Sequence, residues 1–394
     1  MKIFAPRITE ANGRTTASAR IEISTPGLEY PQELYFSTRS TGSPMLSDKA
    51  DAFVTAALPV AMRLGEPLDV EGPVSLRLAH GLGAYQDILT TWWPKRYRRV
   101  GIQFETLEAR QSDARPSGVG CCFSGGLDSF QAVADLRMPA VRFPEYQITH
   151  ALMINGFDQI MDLDHQGTSQ KMYDAYQPAL AQWGVDLMMI DTNLKLLKLA
   201  VMTRGQLSHS FGGSLTACAH ALSPVFGRFC LSGHATYAHA DLKPDGSHPV
   251  LDHHLSTDQM QVIHSGGRIS RTRKLEALAD DPVVCANLRV CFREPRFDAQ
   301  TGAAINCGQC EKCVRTIVSL HIMGKPDSFT TFPYRPPLGE LRDVRLLART
   351  PIMFLNDLID LARRKQESAW EELLSTALRR RKAALDGQAS GHAR

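Results

Sequence analysis

The fold of this chain is set by nine residues, Cys121-Cys122-Phe123-Ser124-Gly125-Gly126-Leu127-Asp128-Ser129. A short apolar run, 119–123, precedes the two glycines, and a helix-forming run from Ser129 to Leu136 follows them. A strand, a glycine turn and a helix in this order leave free backbone N–H groups at the start of the helix, where the helix dipole is positive. We therefore predict an anion-binding site at this turn.

The side chains of the turn suit a phosphate group. Gly125 and Gly126 have no Cβ, so that a phosphate can lie against the backbone and a positive φ costs nothing. Ser124 and Ser129 carry hydroxyls that can donate hydrogen bonds, whereas Asp128 would repel phosphate and is expected to hold Mg²⁺ or to position a polar group. The turn contains neither the Gly-Lys-Ser/Thr of a Walker loop nor a Rossmann fingerprint. An ordinary tight turn is the alternative interpretation.

The pattern Ser-Gly-Gly-x-Asp-Ser resembles the PP-loop of the ATP pyrophosphatase family, whose fold is the adenine nucleotide α-hydrolase (HUP-type) α/β sandwich. The resemblance implies a mostly parallel sheet with helices on both faces, and ATP and Mg²⁺ as ligands. It also implies that the nucleotide contacts the loop residues Ser124, Gly125, Gly126, Leu127, Asp128 and Ser129.

A lysine just before a helix contacts the ATP phosphates in the same family. Lys274 is the residue that matches, at the start of a helical run and close to Arg271 and Arg273. A solvated basic helix start is the alternative, although cations oppose the dipole at this end of a helix.

Residues 118–290 alternate between strand and helix patterns, which predicts a mostly parallel sheet. Ligands of such sheets bind beyond the carboxyl ends of the strands. The predicted strands end at four turns, 124–129, 155–158, 191–193 and 232–234. We therefore expect Asn155, Gly156 and Gly233 to contribute to the ATP site.

The polar segment 234–274 holds several histidines and aspartates and predicts a shaped loop over this crevice. His248 or Asp252 within it is expected to act as an acid or a base, although each single histidine can equally be structural. The spacing of His234 and His239 does not match a recognised zinc site.

The second strong pattern consists of four cysteines, Cys291, Cys307, Cys310 and Cys313. Two short turns at this spacing can bring four thiolates onto one tetrahedral Zn²⁺, and a site without an open position is structural. An iron–sulfur cluster is the alternative. The other five of the nine cysteines fall on apolar runs and are expected in the core.

Together, the loop, the lysine and the cysteine pattern resemble the 7-cyano-7-deazaguanine synthase family over residues 118–325. Enzymes of that family use ATP to activate a carboxylate on a deazapurine, and ammonia then displaces the activating group. The chain departs from the family in its extra terminal regions and in the sequence Gly-Ser-His-Pro at 246–249, where the substrate pocket would lie. The resemblance thus implies adenylation of a deazapurine-like or other small acid, followed by attack of ammonia or an amine.

Two other functions keep the same fold. A tRNA-thiolating enzyme would need a persulfide cysteine, for which Cys218 and Cys230 are the candidates. A non-catalytic ATP-binding subunit of a modification or defence complex would use the extra regions to dock a protein partner.

The length of 394 residues predicts several domains. They are an α+β accessory domain at 1–115, the ATP-binding domain at 118–290, the four-cysteine segment at 291–325 and a helical extension at 326–394. Local patterns predict a helix at 51–64 capped by Ser47 or Asp48, a strand at 74–78 and a helix from 351 to 385.

Composition is that of an ordinary globular protein, and a net charge of +3 does not by itself indicate nucleic-acid binding. A basic and aromatic cluster at 92–99 and a basic tail at 379–382 could contact a nucleic acid or an acidic partner, but a solvated surface is favoured. The sequence predicts no membrane span or signal peptide, and the odd number of cysteines indicates a reducing compartment, hence the cytoplasm.

Overall fold

The computed structural model of the chain describes residues 1–40, 45–109, 115–137, 143–157, 166–233, 235–237 and 244–391. Asp158, His234 and His239 lie outside these residues, as does the stretch 110–114. Within the described part, no helix has the length and the apolar character that crossing a membrane requires.

The strands are β1 Lys2–Ile3, β2 Arg7–Ala11, β3 Arg14–Glu22, β4 Glu33–Arg39, β5 Leu68–Ser75, β6 Ile102–Glu108, β7 Gly118–Cys122, β8 His150–Asn155, β9 Asp186–Thr192, β10 Phe226–Ser232, β11 Gln261–Ser265, β12 Arg296–Phe297 and β13 Ala304–Ile305. The helices are α1 Asp51–Leu64, α2 Leu76–Trp92, α3 Leu127–Arg137, α4 Gln166–Ala181, α5 Leu194–Leu199, α6 Phe211–Ala221, α7 Arg271–Leu278, α8 Pro282–Asn287, α9 Glu311–Ile322, α10 Leu338–Leu341, α11 Val344–Leu347, α12 Ile352–Arg364 and α13 Ser368–Gly391. Short 3-10 segments lie at Pro144–Tyr146, Arg204–Ser210 and Asp252–Leu255.

One sheet of eleven described strands organises the molecule, in the order β11-β10-β7-β8-β9-β4-β3-β1-β5-β6, with β2 beside β3. The five strands from β11 to β9 are parallel. Since β8 lies on one side of β7 and β10 on the other, the strand order reverses at β7, and ligand crevices form at such a point. The prediction of an α/β fold built on a large, mostly parallel sheet is confirmed.

The strands of residues 1–109 extend this same sheet. β4 pairs with β9 in antiparallel orientation, with Phe36 opposite Thr192 and Ser37 opposite Asp191. The turns that follow strands β7 to β10 are therefore held in a sheet that spans both the N-terminal region and the predicted ATP-binding region.

Helices cover both faces of the sheet. One core contains side chains of α3, α4, α7, α9, α12 and α13, and the other contains side chains of α1, α2, α5 and α6. Cys121, Cys218 and Cys230 are fully buried, as expected, whereas Cys122 and Cys285 are half-buried.

Three local predictions need correction. Helix α1 has the predicted bounds, but its N-cap is Ala50 without a side-chain cap, and the buried Asp51 accepts hydrogen bonds from the backbone N–H and the hydroxyl of Ser75. The strand predicted at 74–78 is correct only for Val74 and Ser75, which end β5, because the chain turns into α2 at Leu76 and buries one helical face at Leu78, Leu82, Tyr85 and Leu89. The helix predicted from 351 to 385 is interrupted between α12 and α13, where Gln366 has a φ of 59°.

Candidate active site

The glycine turn between β7 and α3 has the conformation that its sequence predicts. Gly125 has a φ of 71°, and a Cβ added there would lie 1.9 Å from the hydroxyl oxygen of Tyr176, so that only glycine fits. The Ser129 hydroxyl donates a hydrogen bond to the carbonyl oxygen of Gly126 over 2.8 Å. The backbone N–H of Arg289 donates to the carbonyl of Gly125 over 2.8 Å, so that the segment before Cys291 is tied directly to the turn.

A cavity of about 370 Å³ lies against this turn. Ser124, Gly126, Leu127, Asp128 and Ser129 all line it, and Gly125 lies behind them, packed on Tyr176. The loop residues predicted for the nucleotide thus lie together at one cavity, at the carboxyl end of β7. Its size is within the range of small-molecule sites.

Both charged and apolar side chains line the cavity. Three cations, Arg271, Arg289 and Lys312, line it, and Asp128 is its one carboxylate among the described lining residues. Apolar side chains from β8, from the turn that follows it and from α6 also line the cavity, namely Leu152, Met153, Ile154, Phe157, Phe211 and Leu215. This combination suits a ligand that has an anionic tail and an apolar ring.

Lys274 lies beside Asp128 but does not line the cavity. Its side chain is 1% exposed, and its Nζ lies 2.8 Å from Oδ1 of Asp128 and donates to the carbonyl of Gly233 over 2.6 Å. Arg271 holds the other oxygen of Asp128, with Nη2 to Oδ2 at 3.1 Å. Asp128 is therefore paired with two cations, and Gly233 fixes the lysine through its carbonyl.

Asn155 and Gly156 end β8 beside the cavity but do not line it. Gly156 has a φ of 99°, and a Cβ there would lie 2.0 Å from the carbonyl oxygen of Thr192. Asn155 is 4% exposed, and its Oδ1 has no hydrogen-bond partner among the described residues. The glycine lets the chain turn so that Phe157 reaches the cavity wall.

His248 and Asp252 do not line the cavity either. Asp252 is fully buried and accepts hydrogen bonds from the Ser247 hydroxyl, from the backbone N–H of His248 and from Nδ1 of His264, the last over 2.7 Å. The ring of His248 packs edge-on against Trp92, and burial and the nearby His264 lower its pKa. Asp252 thus orients His264, whose Nε2 would lie 2.5 Å from a Cβ placed on Gly233.

The four predicted metal ligands lie together. Cys291, Cys307, Cys310 and Cys313 are buried, and their four sulfurs lie within 4.8 Å of one another. Sulfur–sulfur distances of 3.8 Å for Cys310–Cys291 and 3.9 Å for Cys307–Cys313 are close to the value of about 3.8 Å expected for a tetrahedron with zinc–sulfur bonds of about 2.3 Å, whereas Cys310 and Cys313 lie closer together, at 3.3 Å. This group can hold a structural metal such as zinc.

The surroundings of the cluster support that assignment. Backbone N–H groups of Gln309 and Cys310 donate to the sulfur of Cys307, and Gly308 turns there with a φ of 70°. The fully buried Asn306 accepts from the N–H of Val290 and of Cys291 over 2.9 and 3.1 Å. Asn306 therefore joins the two segments that carry the cysteines, a role that the sequence analysis did not assign.

The cysteine cluster also builds one wall of the cavity. Cys291 itself lines the cavity, as do Arg289 and Val290 just before it and Lys312 inside the second cysteine turn. Arg289 and Lys312 were not predicted as site residues, although their positions next to the cysteines were a signal. A metal here would thus position two of the three cations that line the cavity at the turn 124–129.

In comparisons with known proteins, no family model, no curated protein and no solved structure matches this chain. The assignment of function therefore depends on the residues and the geometry described above.

Proposed function

We propose that the chain is an ATP-dependent enzyme of the PP-loop, HUP-type kind, which adenylates a substrate carboxylate and transfers the acyl group to ammonia or an amine. The observation that carries this proposal is the cavity at the turn 124–129, which is lined by three cations and by apolar side chains. The triphosphate would lie on the turn and the cations, and the adenine against Phe157 and Phe211.

In the first step, an oxygen of the substrate carboxylate forms a bond to the α-phosphorus, and the bond from that phosphorus to the bridging oxygen breaks. Pyrophosphate leaves with the electron pair. The backbone N–H groups at the start of α3, with Arg271, Arg289 and Lys312, would stabilise the charge that grows on this leaving group. In the second step the amine attacks the acyl carbon, AMP leaves, and the nitrogen loses a proton to solvent or to a nearby base.

Mg²⁺ would add Lewis-acid stabilisation of the phosphates. Asp128 alone cannot form a protein cage for this ion, and both its oxygens are held by Lys274 and Arg271. Magnesium in proteins is commonly held by one or two carboxylates together with substrate phosphates, so an ion at this site would take its donors mainly from the phosphates of ATP.

The thiolation alternative has less support. Cys218 and Cys230 are fully buried, and burial raises the pKa of both thiols, that of Cys230 to about 12. A thiolate nucleophile needs the opposite shift.

A screen of pyrophosphate release tests the proposal. It uses ATP, Mg²⁺ and a panel of small carboxylic acids with ammonia, for the wild type, Asp128→Ala and Lys274→Ala. We expect release that depends on one class of acid and falls by about a hundredfold or more in both variants. ATP binding without release for every acid and amine would favour the non-catalytic subunit, and no ATP binding would reject both.

A further inference from the structure

A second cavity of about 340 Å³ adjoins the first. Phe157 and Phe211 line both cavities, so the two share a wall. The remaining described lining residues include Leu207, Ser208 and Ser214, three cations, Lys195, Lys198 and Arg204, and one carboxylate, Asp245. Positive groups thus outnumber negative ones in a pocket that has apolar walls.

Lys198 is the unusual residue of this pocket. Its side chain is 3% exposed, although lysine is almost never buried without a charged partner. Nζ donates to the carbonyl oxygen of Ser210 over 3.1 Å and to the hydroxyl of Ser214, and both acceptors are neutral. No carboxylate of the described residues forms an ion pair with it.

Burial without a compensating anion lowers the pKa of Lys198 to about 7. An ammonium carries three donors, and two of them have acceptors among the described residues. An oxyanion in the cavity would supply both the third acceptor and the missing charge.

We infer that the second cavity binds the carboxylate substrate of the proposed reaction, with an oxyanion group of that substrate on Lys198 and its apolar body against Phe157 and Phe211. The role as substrate rests on the proposed function, whereas the anion site itself does not. The shared wall places the bound acid next to the cavity proposed for ATP.

Simple aromatic probes test the anion site without any catalysis. The full chain is titrated with benzoate, phenyl phosphate and the neutral benzamide, and binding is followed by ligand-observed NMR. The variants are Lys198→Met, Arg204→Gln and, as a control on an exposed part of α4, Lys171→Met. Each titration is repeated with saturating ATP in EDTA, which occupies the first cavity without supporting turnover.

We expect benzoate to bind the wild type about tenfold more tightly than benzamide. Lys198→Met should remove that preference by lowering benzoate affinity by about tenfold, Arg204→Gln should lower it by a smaller factor, and Lys171→Met should leave it unchanged. ATP should not displace benzoate.

Equal benzoate affinity in the wild type and Lys198→Met, with both folded by circular dichroism, would overturn the anion site. Displacement of benzoate by ATP would also overturn it, because the anion would then occupy the first cavity. Tighter binding of phenyl phosphate, lost in Lys198→Met, would overturn only the choice of a carboxylate. Benzoate binding that depends on Lys198 in a protein that never releases pyrophosphate would reject the proposed function and keep the site.

Discussion

The ion pair between Asp128 and Lys274 gives the sharpest prediction for stability. Its Nζ–Oδ1 distance is 2.8 Å, and the lysine is 1% exposed while the aspartate is 18% exposed. Asp128→Asn keeps the shape but leaves the ammonium with only the carbonyl of Gly233 as a strong acceptor. Removing one partner of a buried pair costs about 3–5 kcal/mol, and because Asp128 is partly exposed and Arg271 remains nearby we expect about 3 kcal/mol.

Adding Lys274→Met to Asp128→Asn should restore part of this loss, because the unpaired buried charge disappears with the lysine. We expect the double variant to be more stable than Asp128→Asn alone, with a coupling energy of about 2 kcal/mol. Urea unfolding followed by circular dichroism measures the four free energies that the coupling energy requires, those of the wild type, Asp128→Asn, Lys274→Met and the double variant. Lys325→Met is the matched control, since its partner Asp280 is 84% exposed and the pair should contribute less than about 1 kcal/mol.

If the two substitutions had additive effects on the free energy of unfolding, this prediction would be wrong. It would also be wrong if the loss for Asp128→Asn were no larger than that of the control. Either result would mean that the buried lysine is satisfied without the aspartate.

Three further predictions concern the metal cluster and the second cavity. Cys310→Ser should reduce bound zinc from about one per chain to a trace, as measured by elemental analysis of the purified chain, and should also weaken ATP binding. The control variant Cys285→Ser should change neither the zinc content nor ATP binding. Asn306→Ala leaves two buried N–H groups without their acceptor, so it should lower the free energy of unfolding by about 2–4 kcal/mol and cause some loss of metal. An unchanged urea midpoint would contradict this prediction. The pKa of Lys198 is lowered to about 7 in the folded chain, so the free-energy penalty for burying its charge is full below that pH and falls as pH rises toward about 10.5. Lys198→Met should therefore stabilise the protein more at pH 6 than at pH 9, and the two gains in the free energy of urea unfolding should differ by an amount of the order of 3 kcal/mol. Equal gains at the two pH values would contradict this prediction.

The sequence predicted those features that depend on local signals. Helix α1 was predicted from its apolar residues and from Gly65 at its end, and the glycine turn from two glycines between an apolar run and a helix-forming run; the structure requires glycine at Gly125. The four cysteines were grouped by spacing alone, and the structure brings their sulfurs together.

Features that depend on pairing between distant segments were not predictable in this way. The antiparallel contact of β4 with β9 joins residues more than a hundred positions apart, and no local pattern encodes it. The hydrogen bond between His264 and Asp252 was likewise not predictable from local patterns. Nor was the burial of Lys198, because its helix α5 has an ordinary sequence. Helix α2 was not predicted, because Val74 and Leu78 also fit a strand pattern, and tertiary burial of Leu82 and Leu89 decides for the helix.

The proposed function depends on whether the turn 124–129 binds the phosphates of ATP. Gly126 permits a direct test because its φ is not positive, and an added Cβ would lie 3.3 Å from Oγ of Ser124 and 3.9 Å from the carbonyl of Arg289, so that Gly126→Ala should fold while placing a methyl group on the proposed cradle. Gly339→Ala is the control, since a Cβ there meets nothing within 4 Å.

Isothermal titration of ATP with Mg²⁺ into the wild type and the two variants decides the matter. We expect the wild type and Gly339→Ala to bind ATP with equal affinity. Gly126→Ala should bind ATP at least about tenfold more weakly, with an unchanged thermal unfolding temperature. Equal affinity in Gly126→Ala, or no binding by the wild type, would contradict this expectation.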